Sequence, residues 1–223
     1  MSYKRVSDES PRKIERKHKK PLRLSVDVNK VFKQYKENVE NIEKKFDLYN
    51  ELNGRGETEE ANEILRSQIV FLDSAFDYFV HGIVVYGLKK ILNSEWSKTN
   101  NFKKMQMSFD FVMKVIRTPE KNNLLIEEWL IPKVYRVPLM DYEAAKDHLE
   151  LVGITYKNCD FYNHKSIITN LYNRRNTIAH QADRDRSTGA LQSISKNDVE
   201  NFIRETNNVV ECIKQLIIEK NKK

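Results

Sequence analysis

Glycine and proline are scarce in this sequence, which has six glycines and five prolines among its 223 residues. These two residues supply most tight turns, and sheet-rich domains need many of them, so their scarcity argues against an all-β architecture. The composition, with 39% hydrophobic and 32% charged residues, favours helices instead. We therefore predict an all-α protein, long enough to form one domain around its own core.

The sequence also lacks the features of metal sites, redox motifs and membrane spans. Its two cysteines, Cys159 and Cys212, are isolated, with no CxxC spacing and no histidine pair nearby. We expect reduced thiols, no metal and no other cofactor. No apolar run approaches the 18 or so residues that cross a bilayer, and the basic N-terminus lacks an apolar signal segment. We predict a cytoplasmic protein that does not associate with membranes.

The net charge of +7 comes almost entirely from the N-terminus. Residues 1–24 hold nine lysines or arginines and three acids, a balance of +6, and are interrupted by Pro11 and Pro21. This composition predicts a solvated, disordered arm, with contact to RNA phosphates or to an acidic partner as the alternative. The remaining residues, 25–223, are close to neutral. The overall charge therefore says little about what the folded part binds.

Apolar residues recur at spacings of three and four in four long segments, which predicts four core helices near 28–52, 58–92, 159–180 and 195–220. Residues 94–157 between the second and third of these are less regular and are predicted to form a helical insertion, with short helices at 101–116 and 124–130 and a loop at Ile131-Pro132 and Val137-Pro138. Asp141 is predicted to cap a helix that Gly153 ends, and Ser195 to cap the last core helix. The fold class is thus an all-α, four-helix bundle with an insertion. Six side chains are predicted to be buried in its core: Phe76, Phe79, Ile168, Leu171, Phe202 and Val209.

One stretch, NLYNRRNTIAHQADRD at residues 170–185, concentrates the groups that carry chemistry. Asn176 and His180 share a helical face at i and i+4, and the long side chain of Arg175 can reach the same point. Histidine is the side chain that exchanges protons near neutral pH, and arginine binds phosphate oxygens with two donors at once. These residue types suit cleavage of RNA without a metal, with a histidine as general base and an arginine at the developing charge.

The same residues have a second interpretation, because basic and polar side chains in the last turn of a helix also stabilise its free carbonyl groups. On spacing alone, both interpretations stay open. Asp73, Asp77 and His81 form a polar stripe inside the apolar second helix and need partners there. Asp77 is predicted to orient Arg174 or Arg175, with a plain salt bridge or surface exposure as the alternative, and His81 to be a satisfied core histidine.

The segment RRNTIAHQAD, residues 174–183, resembles the Arg-x4-His motif of the HEPN superfamily, in the RRNxIAHxAD form of its RiboL-PSP-type branch. The segment LDSAFDYFVHGIV, residues 72–84, is similar to the second core helix of that branch. The resemblance covers roughly residues 60–95 and 145–220. It implies a four-helix bundle that pairs into a homodimer, with two motifs facing each other across a composite ribonuclease site.

By this resemblance, Arg175 and His180 are the catalytic pair and Asn176 the polar residue that follows the arginine. Arg174 and Asp77 are expected to support the site or to bind substrate. The implied function is a metal-independent endoribonuclease that acts on RNA, as a toxin or antiviral-defence effector with an antitoxin or another defence protein as partner. The alternative is a HEPN-like dimerisation module, or one that binds nucleotides or RNA without cutting.

Overall fold

A computed structural model describes residues 27–155, 157 and 159–222 of the chain. The predicted basic arm, residues 1–24, lies outside these residues. The described part is all-α: it forms nine α-helices, two short 3₁₀ turns and no strand beyond one bridge between Arg184 and Leu191. The helices are α1 Val28–Glu43, α2 Lys45–Gly54, α3 Thr58–Leu92, α4 Asn100–Lys103, α5 Phe109–Arg117, α6 Asn122–Tyr135, α7 Tyr142–Leu151, α8 Lys165–Gln181 and α9 Lys196–Asn221.

Helix α3 is the centre of the molecule, and helices α1, α2, α6, α7, α8 and α9 all pack against it. It is apolar on nearly all sides in its second half, so every face needs a neighbour. An 18-residue window of α3 is long and apolar enough to cross a membrane, contrary to the expectation that no run approaches this length. In this structure 72% of that window is buried, as in the core helix of a bundle.

The predicted first helix, 28–52, is two helices separated at Lys44. Near the break, the carbonyl oxygen of Ile42 accepts a hydrogen bond of 2.7 Å from the buried side-chain amide of Gln68 on α3. Both sides of the break remain in the core, since Ile42 and Phe46 are buried. Both α1 and α2 therefore pack against α3, one after the other.

Residues 94–157 contribute to the core rather than only decorating it, because α6 and α7 pack on α3 with buried side chains such as Leu130, Val134 and Leu149. The helix predicted over 101–116 is instead split into α4 and α5. The loop predicted at Ile131 and Pro132 is wrong, since α6 continues through Pro132. Proline inside a helix costs a hydrogen bond, and the burial of Leu130 and Val134 on either side offsets that loss.

The predicted helix ends are confirmed where a polar cap marks them. Asp141 accepts a hydrogen bond from the backbone of Ala144 at the start of α7, and Ser195 forms a capping box with Asp198 at the start of α9. Gly153 follows α7 with a φ of +81°, a conformation that glycine adopts without strain. The third core helix is α8, preceded by a 3₁₀ turn at Asp160–His164.

Five of the six predicted core side chains are buried, and the sixth, Phe202, is only partly buried while still packed against the core. The two cysteines, which are isolated in the sequence, lie next to each other in the structure. The Sγ atoms of Cys159 and Cys212 lie 3.2 Å apart as a pair of thiols, although 53 residues separate them in the chain. Spacing in the sequence could not reveal this contact, because it depends on how α9 packs against the segment before α8.

A close approach between helices generates a first prediction. A Cβ atom added at Gly87 on α3 would lie 2.6 Å from the Cβ of Val152 and 3.0 Å from the ring of Trp96. We expect Gly87→Ala to lower the free energy of unfolding by about 1 to 3 kcal/mol, because it overpacks this contact. Denaturant unfolding measures the change.

The control is Gly54→Ala at the end of α2, where no atom lies within 4 Å of the added Cβ. We expect this substitution to leave stability unchanged or to raise it by up to about 1 kcal/mol, since alanine favours helix. Equal effects of the two substitutions would contradict the close packing of α3 against the end of α7.

Candidate active site

The motif stretch lies on the last two turns of α8 and on the turn that follows. Helix α8 ends at Gln181, so His180 stands in its last turn, as predicted. Ala182 and Asp183 then both adopt left-handed backbone conformations, with φ of +48° and +56°. Such a conformation costs a non-glycine residue roughly 1 kcal/mol or more, so other contacts must hold this turn in place. The backbone N–H groups of both residues donate to the carbonyl of Thr177.

The contacts that hold the turn belong to Asp183, whose side chain is fully buried. Its Oδ2 accepts a hydrogen bond of 2.8 Å from Nε of Arg66 on α3 and another of 2.8 Å from Nη2 of Arg174 on α8. Both arginines also donate to the loop beyond the turn, chiefly to Gln192 and Ser193. One carboxylate between two guanidinium groups therefore ties α3, α8 and the α8–α9 loop together.

Arg175 points to the other side of α8, toward α3. Its Nε lies 3.4 Å from Oδ2 of Asp73, an ion pair between a carboxylate that is 1% exposed and a guanidinium that is 23% exposed. Its Nη1 donates a hydrogen bond of 2.8 Å to Oδ1 of Asn176. Nη2 makes no hydrogen bond to the described residues. The contact between Nε and Oδ2 is an ion pair without a hydrogen bond, so the guanidinium is hydrogen-bonded only to Asn176 and has donor capacity left.

Asp73 is unusual among the acids of the chain because it is buried inside an apolar helix. Burial raises the pKa of its carboxyl group from 3.8 to about 7, with the charge of Asp77 adding to the effect and that of Arg175 opposing it. A carboxyl group with such a pKa takes up and releases a proton near neutral pH. Perturbed acids of this kind are enriched at functional sites, which favours this surface of α8 as the site.

His180 is exposed at the helix end, and its ring makes no hydrogen bond within the described part of the chain. The structure therefore brings Arg175 together with Asn176 and Asp73, but it does not join His180 to any of them. Because His180 is open to solvent, it is accessible to a bound ligand or to a second protein chain. Within the described residues, no group of three or more His, Cys, Asp or Glu side chains is arranged to hold a metal ion.

The expected pairing of Asp77 with Arg174 or Arg175 is wrong. Oδ1 of Asp77 accepts a hydrogen bond of 2.6 Å from the backbone N–H of Leu139, and its Oδ2 lies 3.3 Å from Nδ1 of His81. The other ring nitrogen of His81 faces the carbonyl oxygens of Val134 and Val137. Asp77 therefore anchors the segment after α6, while Asp73, one helical turn earlier, takes the position beside Arg175.

His81 is a buried histidine with partners at both ring nitrogens, as predicted. Burial of the ring acts to lower its pKa, but hydrogen bonds to Asp77 and to the backbone carbonyl of Val137 outweigh this effect and raise the pKa above 6.5. A protonated ring suits this position, because both nitrogens face oxygen atoms that only accept hydrogen bonds.

Sequence reasoning missed two residues that build the site, Arg66 and Asp183. Asp183 stands among alternating charges with Arg184, Asp185 and Arg186, a pattern typical of a solvated turn, and those three neighbours are indeed exposed. The sequence does indicate a role for Arg66, because this residue lies seven residues before Asp73 on the same face of α3. A cation at that position in a mostly apolar helix requires a buried acid nearby.

The buried carboxylate generates a second prediction. Asp183→Asn keeps the shape of the side chain but leaves Arg66 and Arg174 without their shared anion. Breaking a buried ion pair from one side costs about 3 to 5 kcal/mol, and we expect a loss of that order in the free energy of unfolding. Asp147→Asn, at an exposed position of α7, is the control and should leave stability unchanged. A small loss at Asp183 would show that the turn is held by other contacts.

The pKa of Asp73 generates a third prediction. Between about pH 4 and pH 7 the folded protein holds the Asp73 proton and the unfolded chain does not, so the contribution of this group to stability falls as pH rises through that window. The quantity to follow is the difference between the unfolding free energies of the parent and of Asp73→Asn. This difference should fall as pH rises, by at most about 1.4 kcal/mol per pH unit. Denaturant unfolding at several pH values measures it. A difference that stays flat over most of this window, or that rises near pH 4, would mean that Arg175 keeps Asp73 ionised throughout.

Comparison with known proteins places these residues in a family. The family model described as RiboL-PSP-HEPN matches residues 33–219, a single range that includes residues 94–157. This range is wider than the two segments on which the resemblance rests. No curated protein and no solved structure matches the chain. Since the matched range covers most of the sequence, the chain belongs to the RiboL-PSP-HEPN family of the HEPN superfamily.

Proposed function

We propose that this protein is a metal-independent endoribonuclease that acts as a homodimer, with His180, Arg175 and Asn176 as its catalytic residues. Membership of the HEPN family by itself suggests a ribonuclease-like or nucleotide-binding function and an interaction with RNA. The observation that carries the finer proposal is the pairing of Arg175 with buried Asp73, close along α8 to an exposed His180. An arginine that lies beside a buried carboxyl group and donates to a neighbouring amide keeps a fixed direction while its other donors remain for a ligand.

The proposed reaction needs only groups that the RNA and the protein supply. His180 takes the proton of a ribose 2′-hydroxyl, and the 2′ oxygen attacks the adjacent phosphorus. The bond from phosphorus to the 5′ oxygen of the next nucleotide breaks, and that oxygen takes a proton and leaves as a hydroxyl. The products are a 2′,3′-cyclic phosphate and a 5′-hydroxyl end. Arg175 binds the non-bridging oxygens as their charge grows, and Asn176 fixes the guanidinium through its Oδ1.

The dimer is part of the proposal because one chain brings one motif. The departing 5′ oxygen needs a proton donor, and a second copy of His180 facing the first supplies it. A closed twofold interface is the commonest way to bring two copies of one surface together. Arg174 has a positioning role, since its bonds to Asp183, Gln192 and Ser193 fix the turn that follows the catalytic helix end.

A second candidate is a HEPN-like module that dimerises, or binds nucleotides or RNA, without cutting. It is favoured by one observation, that no hydrogen bond within the described residues orients the His180 ring. A catalytic histidine usually has a second group that fixes its ring, so a ligand or a partner chain must supply this group for the enzyme to work.

The proposed setting is the cytoplasm, where the protein acts as a toxin or antiviral-defence effector under the control of an antitoxin or another defence protein. The adjacent thiols of Cys159 and Cys212 suit a reducing compartment, because such a pair becomes a disulfide in an oxidising one.

The fourth prediction tests the enzyme directly. We expect His180→Ala to slow cleavage of a single-stranded RNA in EDTA by about 10² to 10⁴-fold, the usual contribution of a general base, with cyclic phosphate ends on the parent's products. For the arginine, Arg175→Lys is preferable to alanine, because lysine keeps a cation beside buried Asp73. It should also lose most of the rate, since an ammonium group cannot bind phosphate with a planar pair of donors.

The matched control is Arg186→Ala, which removes an exposed arginine six residues after His180. It should cut at the parent's rate. Light scattering and thermal melting should show a dimer of parental stability for all three variants. A His180→Ala protein that cuts RNA as fast as the parent would exclude the proposed reaction, and unchanged RNA binding in that protein would then support the binding module.

A further inference from the structure

A groove runs between α1 and α3, with a volume of about 500 Å³. Its α1 wall carries three amides, Gln34, Asn38 and Asn41, and its α3 wall carries two aromatic rings, Phe71 and Tyr78. Lys45 of α2 closes one end. We call this surface, defined by these six residues, the α1–α3 groove.

The two rings of the groove are unusually open to solvent. Phe71 and Tyr78 are each 50% exposed, whereas the other aromatic residues of α3 that face the core, Phe76 and Phe79, are buried. They stand seven residues apart on one side of α3, which places them about 10 Å apart along the helix axis. Stacked nucleotides rise only about 3.4 Å each, so the two rings suit two bases that are not adjacent in a strand.

The polar wall of the groove has unused hydrogen-bonding capacity. Gln34 donates to Asn38 at 3.3 Å, and Asn41 makes no hydrogen bond to the described residues. Amide side chains offer donors and acceptors together, as the edges of nucleobases do. An apolar partner surface would leave these amides without partners at a cost in affinity, whereas unstacked bases supply both ring faces and hydrogen-bonding edges.

The charge of the groove also favours a polyanion. Its lining includes no carboxylate and one cation, Lys45, whose Nζ lies 4.2 Å from the centre of the Phe71 ring. A second groove of about 540 Å³, between α1 and α9, is lined by three glutamates and three lysines, so its charges balance. Of these two grooves, only the α1–α3 groove has a net positive lining with no carboxylate in its walls.

The position of the groove connects it with the proposed reaction. Ser74 lines the groove, and Asp73, the preceding residue, pairs with Arg175. Phe71, Ser74 and Tyr78 point about 100° to 160° away from Asp73 around the axis of α3, so the groove and the Arg175 guanidinium lie on different sides of this helix at the same height. The exposed surface of α3 at Ser74 lies between them. A strand whose phosphate contacts Arg175 can pass over this surface and place bases a few nucleotides away in the groove.

We infer that the α1–α3 groove binds the bases of single-stranded RNA, with Phe71 and Tyr78 as stacking surfaces and the α1 amides as hydrogen-bonding partners for the base edges. This inference rests on the proposed function, which makes RNA the substrate. It adds that the substrate is single-stranded near the cut, because a base paired in a duplex cannot enter between an amide wall and an aromatic wall.

The test uses the full chain and a fluorescein-labelled single-stranded oligonucleotide with 2′-O-methyl sugars throughout, which lacks the 2′-hydroxyl needed for cleavage. We expect Phe71→Ala and Tyr78→Ala each to weaken its binding about 5- to 150-fold, the range measured for loss of one stacking ring. Phe109→Ala, at a more exposed phenylalanine on α5, is the matched control and should bind as the parent does. An abasic strand with the same backbone should bind the parent more weakly than the full strand binds either variant, because it loses both stacking contacts and the amide contacts.

A second pair of variants tests the charge of the groove without removing a ring. Asn41→Asp places a carboxylate in the groove and should weaken binding, whereas Asn208→Asp, at an exposed position of α9, should weaken it less. Equal binding of the full and abasic strands, or equal effects of Phe71→Ala and Phe109→Ala, would overturn the inference. The inference would also be overturned if Phe71→Ala or Tyr78→Ala converted the dimer to a monomer and this change explained the lost binding. The groove would then be an interface between copies of the chain.

The failure of this inference and the failure of the proposed function are separable. If the parent cleaves unmodified RNA in EDTA while Phe71→Ala and Tyr78→Ala bind normally, RNA binding in the groove is wrong and the ribonuclease proposal stands. If the parent does not cut RNA but its binding depends on Phe71 and Tyr78, RNA binding in the groove is supported and the ribonuclease proposal is wrong.

Discussion

The structure around the motif depends on one constraint, that a carboxylate removed from water must meet a cation or several hydrogen-bond donors. Asp183 meets it through Arg66 and Arg174, and Asp73 meets it in part through Arg175. The Arg66–Asp183 and Asp73–Arg175 pairs cross between α3 and the α8 segment, and the Arg174–Asp183 pair ties the turn after α8 back to α8 itself. The central helix therefore fixes the position and rotation of the motif helix through charged side chains, in addition to the apolar contacts of Ile168 and Leu171.

The two adjacent arginines of the motif have different tasks as a result. Arg174 and Arg175 point about 100° apart around α8, so one reaches the loop beyond the helix and the other reaches α3. Arg174 donates to Asp183, Gln192 and Ser193, whereas the one hydrogen bond of Arg175 goes to Asn176. Arg174 is thus a positioning residue that holds the turn after α8, and Arg175 is the candidate catalytic residue on the same helix.

Residues 94–157 show why local rules fail in the middle of the chain. Pro132 predicts a loop, since it lacks an N–H group and clashes with the preceding turn. Helix α6 nevertheless continues through it, because Leu130 and Val134 are buried against α3 on either side. The same packing recruits Asp77 and His81 to hold the segment after α6. Asp77 and His81 therefore bind residues of the 94–157 segment and do not contact the motif arginines.

The sequence by itself determined the all-α class, the bounds of α3, the caps at Asp141 and Ser195, and the place of His180 in the last turn of its helix. Periodicity and capping are local, so a few neighbouring residues decide them. The tertiary structure alone decided that Asp73 and not Asp77 lies beside Arg175, that Asp183 is buried, and that Cys159 meets Cys212. Those outcomes depend on the distances and rotations between packed helices, and residues one turn apart on the same face are indistinguishable until the helices have packed.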